Sequence, residues 1–98
     1  MAYKIRYSLR ARQEELELLE YVLKEFGEKK AKEIYLRIEK LLGEISEMPK
    51  MYRSSKKQKN LRKCMLSKQT SMYYRIRKEY IEVVSFRANR KDPKGFKA

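Results

Sequence analysis

Histidine and tryptophan are absent from this chain of 98 residues, and Cys64 is its single cysteine. An internal disulfide is therefore excluded, and a zinc site lacks a ligand set because neither an imidazole nor a second thiolate is present. The missing histidine also removes the side chain that most often acts as a general base near neutral pH. The sequence predicts no metal or other cofactor and excludes a histidine-containing catalytic triad. We expect Cys64 to be a buried structural thiol.

Long apolar runs are absent as well. No stretch approaches the ~20 apolar residues that a transmembrane helix needs, and the opening residues MAYKIRYSL lack the apolar core of a secretory signal. Charged residues make up 40% of the chain, well above the usual share of about 25%. We therefore expect a cytoplasmic protein without membrane contact, folded as a single domain over residues 1–98 around one modest core.

The chain contains only three glycines and two prolines, so few residues interrupt its helices and strands. Ser8 can cap a helix that runs until Gly27, which predicts α1 over residues 9–26. A second apolar stripe predicts α2 over residues 28–47, ended by Pro49. One glycine between the two helices makes them a tight helical hairpin. The stripes consist of Leu16, Leu19, Leu23 and Phe26 in α1 and of Ala31, Ile34, Tyr35, Ile38, Leu41, Leu42 and Ile45 in α2.

Strand patterns lie on both sides of the helices. The segment 1–8 contains an alternation of apolar and basic residues at positions 3–7, which predicts a first strand with one buried face. A polar, basic loop at residues 50–60 precedes three segments rich in Tyr, Val, Ile and Thr. These strands span residues 61–66, 70–77 and 80–88, and a basic tail follows at 89–98. The sequence predicts an α+β fold of order βααβββ, with the helical hairpin on one face of a small, mainly antiparallel sheet.

The net charge of +13 is confined to the C-terminal half of the chain. Residues 1–47 contain 10 Lys and Arg against 10 Asp and Glu, whereas residues 48–98 contain 16 basic residues against 3 acidic ones. Uncompensated cations repel one another, and an anionic partner would relieve that repulsion. A solvated sheet face without a partner is the simpler interpretation. The regional segregation favours a polyanion, either a nucleic acid or an acidic protein segment that folds on binding.

The strand alternation predicts where these cations lie. Arg75 and Arg77 share one sheet face with Tyr73, while Met72 and Tyr74 point towards the helices. Tyr73 is then exposed among cations, where it either packs between side chains or stacks on a base. We predict a basic groove formed by this face, the preceding loop and the tail. Its binding residues are Lys56, Lys57, Lys59, Arg62, Lys63, Tyr73, Arg75, Arg77, Arg87, Arg90 and Lys91.

Two stretches of the C-terminal half carry a family resemblance. KQTSMYYRI at residues 68–76 and FRANRKDP at residues 86–93 resemble the RelE/ParE superfamily of bacterial toxins, and the element order is similar too. The N-R-x-D-P ending is similar to that of ParE-type members. The resemblance covers nearly the whole chain and implies the toxin of a type II toxin–antitoxin, or plasmid stabilisation, module. Such a toxin is neutralised in a hetero-oligomeric complex by the C-terminal segment of its cognate antitoxin.

Two activities occur in this superfamily. RelE-like members cleave messenger RNA on the ribosome, and ParE-like members inhibit DNA gyrase. For RNA cleavage the resemblance implies the catalytic residues Lys63, Arg75, Arg90 and Tyr73. These groups would stabilise phosphorane charge and transfer protons. Ser71 stands where RelE-like members carry an arginine, and Phe96 stands near their tail tyrosine. The histidine–tyrosine ending of the YoeB-like branch is also absent.

We therefore favour a growth-arresting, ParE-like inhibitor of DNA gyrase that needs no cofactor and is not an enzyme. Its groove arginines would be Arg62, Arg75, Arg87 and Arg90, meeting the antitoxin or the target. The alternative is a RelE-like, ribosome-dependent endoribonuclease, that is, an mRNA interferase. A third hypothesis is a general nucleic-acid-binding module without toxicity, which predicts salt-sensitive affinity for any duplex.

Overall fold

A computed structural model of the chain describes residues 2–54 and 60–88. Two helices pack on one face of a four-stranded sheet, in the order βααβββ. The fold class predicted from the sequence is thereby confirmed. The elements are β1 (Lys4–Tyr7), α1 (Leu9–Phe26), α2 (Glu28–Glu47), β2 (Arg62–Met65), β3 (Thr70–Ile76) and β4 (Tyr80–Ala88).

The helical hairpin is delimited by residues with a capping or breaking role. Ser8 Oγ accepts a hydrogen bond from the Ala11 backbone N–H at 2.9 Å, which satisfies one of the free donors at the start of α1. Gly27 joins the helices with a φ of 93°, a conformation that other residues rarely adopt. α2 ends at Glu47, two residues before Pro49. Both helices have the bounds that the sequence predicts.

α2 supplies most of the helical side of the core. Its central residues Ile38 and Ile45 are fully buried and pack in one cluster with Met72 and other residues of the sheet. The predicted stripe of α2 is therefore correct at its centre. At its N-terminal end the stripe departs from the prediction, since Tyr35 is 46% exposed.

α1 packs on the sheet through a stripe other than the predicted one. The residues it buries are Ala11, Glu15 and Val22. The predicted stripe lies largely in solvent, with Leu16 54%, Leu23 48% and Phe26 64% exposed. Glu15 is tolerated because its Oε2 accepts a hydrogen bond from the Tyr7 hydroxyl at 2.9 Å. The prediction was wrong here because periodicity shows which residues share a face and not which face meets the sheet.

The sheet has the strand order β1-β4-β3-β2. The last three strands pair antiparallel, as predicted, whereas β1 pairs with β4 in parallel. β4 and β3 are therefore the central strands, and β1 and β2 form the edges. β2, β3 and β4 begin and end within one residue of their predicted bounds, and β1 occupies residues 4–7 of the predicted segment 1–8.

A β-bulge in β4 interrupts the alternation of its side chains. Tyr73 pairs with Ser85 and Tyr74 pairs with Val83, so Val84 is an additional residue between them. As a result, residues on the two sides of the bulge fall out of step with a strict period of two. Ile81, Val83 and Phe86 share the face towards the helices, while Glu82, Ser85 and Arg87 share the other face.

The start of α1 holds the bulged part of β4, beyond the end of β1. The Ser8 hydroxyl donates to the carbonyl of Val84, and Glu14 Oε1 accepts a hydrogen bond from the Phe86 N–H, both at 2.9 Å. Backbone groups that have no strand partner on this side are satisfied in this way. Side chains of α1 therefore take the place of a longer β1.

Two polar side chains are accommodated in the core. The fully buried Tyr74 donates its hydroxyl hydrogen to the carbonyl of Pro49 at 2.7 Å, and burial raises the pKa of Tyr74 to about 12. Cys64 is fully buried, as expected, and burial raises the pKa of its thiol. Within the part of the chain that the structure describes, no helix combines the length and apolarity needed to cross a bilayer.

Candidate functional site

The sheet face that the helices leave uncovered collects charged side chains from all four strands. Residues directly opposite one another in neighbouring strands point to the same side, so the register identifies the residues that share this surface. We call it the open face. It consists of Lys4 and Arg6 of β1, Lys63 and Met65 of β2, Ser71, Tyr73 and Arg75 of β3, Tyr80, Glu82, Ser85 and Arg87 of β4, and Arg77 directly after β3.

Arg87 lies over the aromatic ring of Tyr73. Its guanidinium carbon is 4.7 Å from the ring centroid, and its Nε donates a hydrogen bond to Ser85 Oγ at 3.0 Å. A cation–π contact of this kind contributes about 0.5–1 kcal/mol at an exposed site. Ser71, which pairs with Arg87, and Ser85 are both fully buried although they belong to the open face. The two short side chains leave room for the arginine to lie along the sheet.

Lys63 lies on the other side of Tyr73. It is opposite Tyr73 in the β2–β3 ladder and is exposed. Neither Lys63 nor Arg87 has a carboxylate partner among residues 2–54 and 60–88. We call Lys63, Tyr73 and Arg87 the cationic cluster. It places two uncompensated cations around one phenol ring.

Glu82 compensates part of the positive charge at the other end of the open face. Its Oε1 accepts hydrogen bonds from Arg77 at 2.9 Å and 3.1 Å, and it lies 3.7 Å from Arg75 Nε. That nitrogen is shielded from solvent and has no hydrogen-bond partner within the described ranges. One carboxylate therefore pairs with two arginines. The charge of these arginines is partly compensated, whereas that of Lys63 and Arg87 in the cationic cluster is not compensated by any described carboxylate.

The open face includes two cations that the sequence interpretation left out, Lys4 and Arg6. They belong to the charge-balanced N-terminal half, and the parallel pairing of β1 brings Arg6 opposite Glu82. The Arg6 guanidinium also lies 5.2 Å from the centroid of the Tyr80 ring. The alternation at residues 3–7 indicates that the Lys4 and Arg6 side chains lie on the same face of β1. No local pattern identifies β4 as the strand next to β1.

The structure brings together five of the predicted binding residues and separates one. Arg62 pairs with Tyr74 and shares the helix-facing side of the sheet. Its Nη1 donates to the carbonyl of Tyr52 at 2.6 Å, so this arginine holds the loop after α2 rather than joining the open face. The five that lie together are Lys63, Tyr73, Arg75, Arg77 and Arg87. The predicted residues Lys56, Lys57, Lys59, Arg90 and Lys91 lie outside the described residues.

The chemistry of the open face favours binding of an anion. Glu82 is the one carboxylate of this face within the described residues, and it is engaged by arginines. Residues 2–54 and 60–88 contain no group of three or more His, Cys, Asp or Glu side chains that could hold a metal ion. Cations with donors directed along a sheet, beside an aromatic ring, can hold carboxylates or phosphates.

Solved structures with a similar fold include the following three. One is the chromosomal ParDE toxin–antitoxin system from P. aeruginosa, with a TM-score of 0.73, 11% identity and coverage of 89% of this chain and 96% of that chain. The YoeB dimer from Staphylococcus aureus has a TM-score of 0.61 at 15% identity, with 89% and 97% covered. A conserved hypothetical protein from Helicobacter pylori has a TM-score of 0.57 at 15% identity, with 89% and 94% covered. No curated protein sequence matches the chain.

A family comparison identifies the chain more specifically. Residues 5–93 match the family described as the ParE toxin of type II toxin-antitoxin system, parDE. The match runs from β1 through β4 and therefore includes every element that forms the open face. It confirms the RelE/ParE resemblance of the C-terminal stretches. The chain belongs to the ParE family of toxins from type II toxin–antitoxin systems.

Proposed function

We propose that this ParE-family toxin arrests growth by inhibiting DNA gyrase in the cytoplasm, and that its open face binds an acidic segment of a cognate antitoxin. The observation that carries the proposal is the cationic cluster, in which Lys63 and Arg87 flank Tyr73 without a described carboxylate partner. Family membership supports gyrase as the target. The complex with the antitoxin would be hetero-oligomeric.

Arg87 is well placed to hold a carboxylate. Ser85 occupies its Nε, and its two terminal nitrogens have no protein acceptor within the described residues. They can form a forked pair of hydrogen bonds with one carboxylate. Met65, which is 51% exposed on the same face, offers an apolar contact beside the charges. A peptide with acidic and apolar residues at alternating positions would match this surface.

A single exposed ion pair contributes only about 0–1 kcal/mol. Tight binding therefore requires several cations to act together, and the open face provides them on four adjacent strands. Electrostatic attraction of this kind weakens with salt, because the screening length is about 10 Å at 0.1 M. We expect the affinity for the antitoxin segment to fall as the salt concentration rises.

The gyrase proposal can be tested with the purified full-length chain, freed of its antitoxin by unfolding and refolding. Addition to a supercoiling reaction should inhibit supercoiling or trap cleaved DNA. Arg87→Glu should raise the toxin concentration needed by roughly tenfold or more, which corresponds to about 1.4 kcal/mol. Lys29→Glu makes the same charge change on an exposed position of α2 and should act like the wild type. Growth arrest with unaffected gyrase would refute the proposal.

Ribosome-dependent cleavage of messenger RNA is the second candidate, because Lys63 pairs with Tyr73 and a second cation, Arg87, lies over the Tyr73 ring. Such a group of cations can stabilise a phosphorane. In a translating extract, primer extension should then reveal discrete new 5′ ends, which Tyr73→Phe and Arg90→Ala reduce. Unchanged transcripts, which we expect, would exclude this activity.

A further inference from the structure

The outer side of the helical hairpin carries an apolar surface that neither the core nor the open face uses. A shallow groove between α1 and α2, here called the hairpin groove, is lined by Leu19, Glu20, Leu23, Ala31, Lys32 and Tyr35. Leu23 and Tyr35 are about half exposed, and the neighbouring Leu16 is 54% exposed. Contiguous exposed apolar side chains mark interaction surfaces, especially where polar residues surround them.

The hairpin groove lies to the side of the residues that pack on the sheet. At 100° per residue, Leu19 and Leu23 lie about 60° and 100° around α1 from the centre of its buried stripe, Ala11, Glu15 and Val22. All the side chains that line the groove belong to α1 or α2. An occupant of the groove would therefore contact the helices alone. The open face, on the opposite side of the sheet, would stay accessible.

The two rims of the groove carry opposite charges. Glu20 belongs to α1 and Lys32 belongs to α2. Neither side chain makes an ion pair or hydrogen bond with any described residue. A twofold axis that runs along the groove, parallel to the two helices, would place α1 of one copy against α2 of the other. Glu20 of each copy would then lie opposite Lys32 of the other copy, so this contact occurs twice in the dimer and the surface is complementary to itself.

We propose that the hairpin groove binds a second copy of this chain, in a twofold dimer built from four helices. Leu19, Leu23 and Tyr35 form its apolar centre, and Glu20 and Lys32 pair across its rim. The arrangement also suits the net charge of +13 per chain, because it holds the two open faces at opposite ends of the dimer.

The size of the hairpin indicates a weak dimer. Helices of 18 and 20 residues are about 27–30 Å long, and two of them side by side are about 20 Å wide. The contact would bury on the order of 500–600 Å² of each copy, which is at the low end for specific complexes. We expect a dissociation constant in the micromolar range, so that monomer and dimer exchange with concentration.

Sedimentation velocity of the refolded full-length chain, from about 1 to 200 μM, tests the dimer in the concentration range expected for it. The average mass should rise from that of one chain towards that of two. Leu23→Glu should remain monomeric throughout. Leu9→Glu is the matched control, because Leu9 is 92% exposed on the same helix but outside the groove, and it should dimerise like the wild type. Circular dichroism would show that both variants are folded.

A charge exchange tests the pairing itself. Glu20→Lys and Lys32→Glu should each weaken self-association by roughly tenfold, since every homodimer then brings like charges together. Mixing the two variants should restore association, because the mixed dimer contains two opposite-charge contacts. Restored association of the mixture requires a second copy as the occupant and has no explanation within one chain.

Three results would overturn the dimer. The first is a monomer at every concentration, and the second is a dimer that Leu23→Glu leaves intact. The third is a groove that serves only another protein, seen as a monomeric wild type whose antitoxin binding is lost in Leu23→Glu. Because the open face is on the other side of the sheet, none of these results bears on gyrase inhibition.

Discussion

The two faces of the sheet differ completely in character although the same strands build both. Met72 and Tyr74 of β3 are fully buried against the helices. Their neighbours Tyr73 and Arg75 lie on the open face, among cations and one carboxylate. Side chains that stabilise the fold and side chains that meet a partner are therefore separated by a single position along the strand. Neighbouring residues of similar chemistry can be compared directly.

Different forces act on the two faces. Burial of apolar surface contributes about 25 cal/mol per Å² on the covered face. Exposed ion pairs contribute little, and like charges on the open face repel one another. Substitutions on the covered face should therefore change stability, and those on the open face should change binding. A substitution on the open face that lowers stability, or one on the covered face that changes binding alone, would contradict this division.

The largest expected effect comes from a matched pair of methionines. Met72→Ala removes a fully buried side chain and should lower the free energy of unfolding by about 2–5 kcal/mol. Met65→Ala, on the exposed side of the adjacent strand, should change it by no more than about 0.5 kcal/mol. Urea unfolding followed by circular dichroism measures both. Equal losses would contradict the division between the faces.

A second comparison lies within the open face. Arg87→Gln should weaken binding of the acidic antitoxin segment by roughly tenfold, or about 1.4 kcal/mol, because no described carboxylate already neutralises this arginine. Arg77→Gln should weaken it by roughly twofold only, since Glu82 already pairs with Arg77. Fluorescence anisotropy with a labelled antitoxin peptide, at two salt concentrations, separates the two values. Equal affinities of the Arg87→Gln and Arg77→Gln variants would show that pairing with Glu82 does not reduce the contribution of Arg77 to binding.

Two adjacent tyrosines give the next comparison. Tyr74→Phe removes the hydrogen bond to the Pro49 carbonyl and should cost about 1 kcal/mol at neutral pH, whereas Tyr73→Phe should cost much less. The pKa of Tyr74 rises from 10.0 to about 12 in the folded protein. Its stabilising contribution is therefore present below pH 10 and is lost as the pH rises towards 12.

Unfolding at pH 9 and pH 11, chosen to lie on either side of the lower pKa, measures this loss. The wild type should lose more stability between the two conditions than Tyr74→Phe does, and tyrosinate absorbance would report the ionisation. If Tyr74→Phe lost as much stability between pH 9 and pH 11 as the wild type, the loss would have to come from the ionisation of other tyrosines.

The smallest expected effect comes from Glu82→Gln. Removal of this carboxylate frees Arg75 and Arg77, so affinity for an acidic peptide should increase by roughly twofold and become more sensitive to salt. Stability should change by no more than about 1 kcal/mol, as is usual for exposed pairs. Weaker binding would mean that Glu82 positions the arginines for the partner rather than competing with it.

Local patterns account for the parts of this protein that depend on neighbouring residues. Ser8, Gly27 and Pro49 delimit the helices because capping and chain breaking act over a few residues. Alternation along β3 places Tyr73 and Arg75 opposite Met72 and Tyr74 because successive side chains point to opposite faces. The family could also be inferred from the stretches 68–76 and 86–93.

Other features depend on contacts between distant parts of the chain. Parallel pairing with β4 adds Arg6 to the open face, whereas Arg62 lies on the helix-facing side, where it donates a hydrogen bond to the Tyr52 carbonyl. The sheet-facing stripe of α1 includes Glu15, which a pattern of apolar residues cannot identify as buried because its partner Tyr7 lies on another element.

The sequence by itself therefore determined the element order, the two faces of β3 and the family. The tertiary structure alone decided which strands are neighbours, where the bulge reverses the alternation in β4, and which cations share a carboxylate. The physical reason is the range of the interactions. Helix caps and strand alternation act within a few residues, whereas strand order and charge pairing arise only when the helical hairpin packs on the sheet.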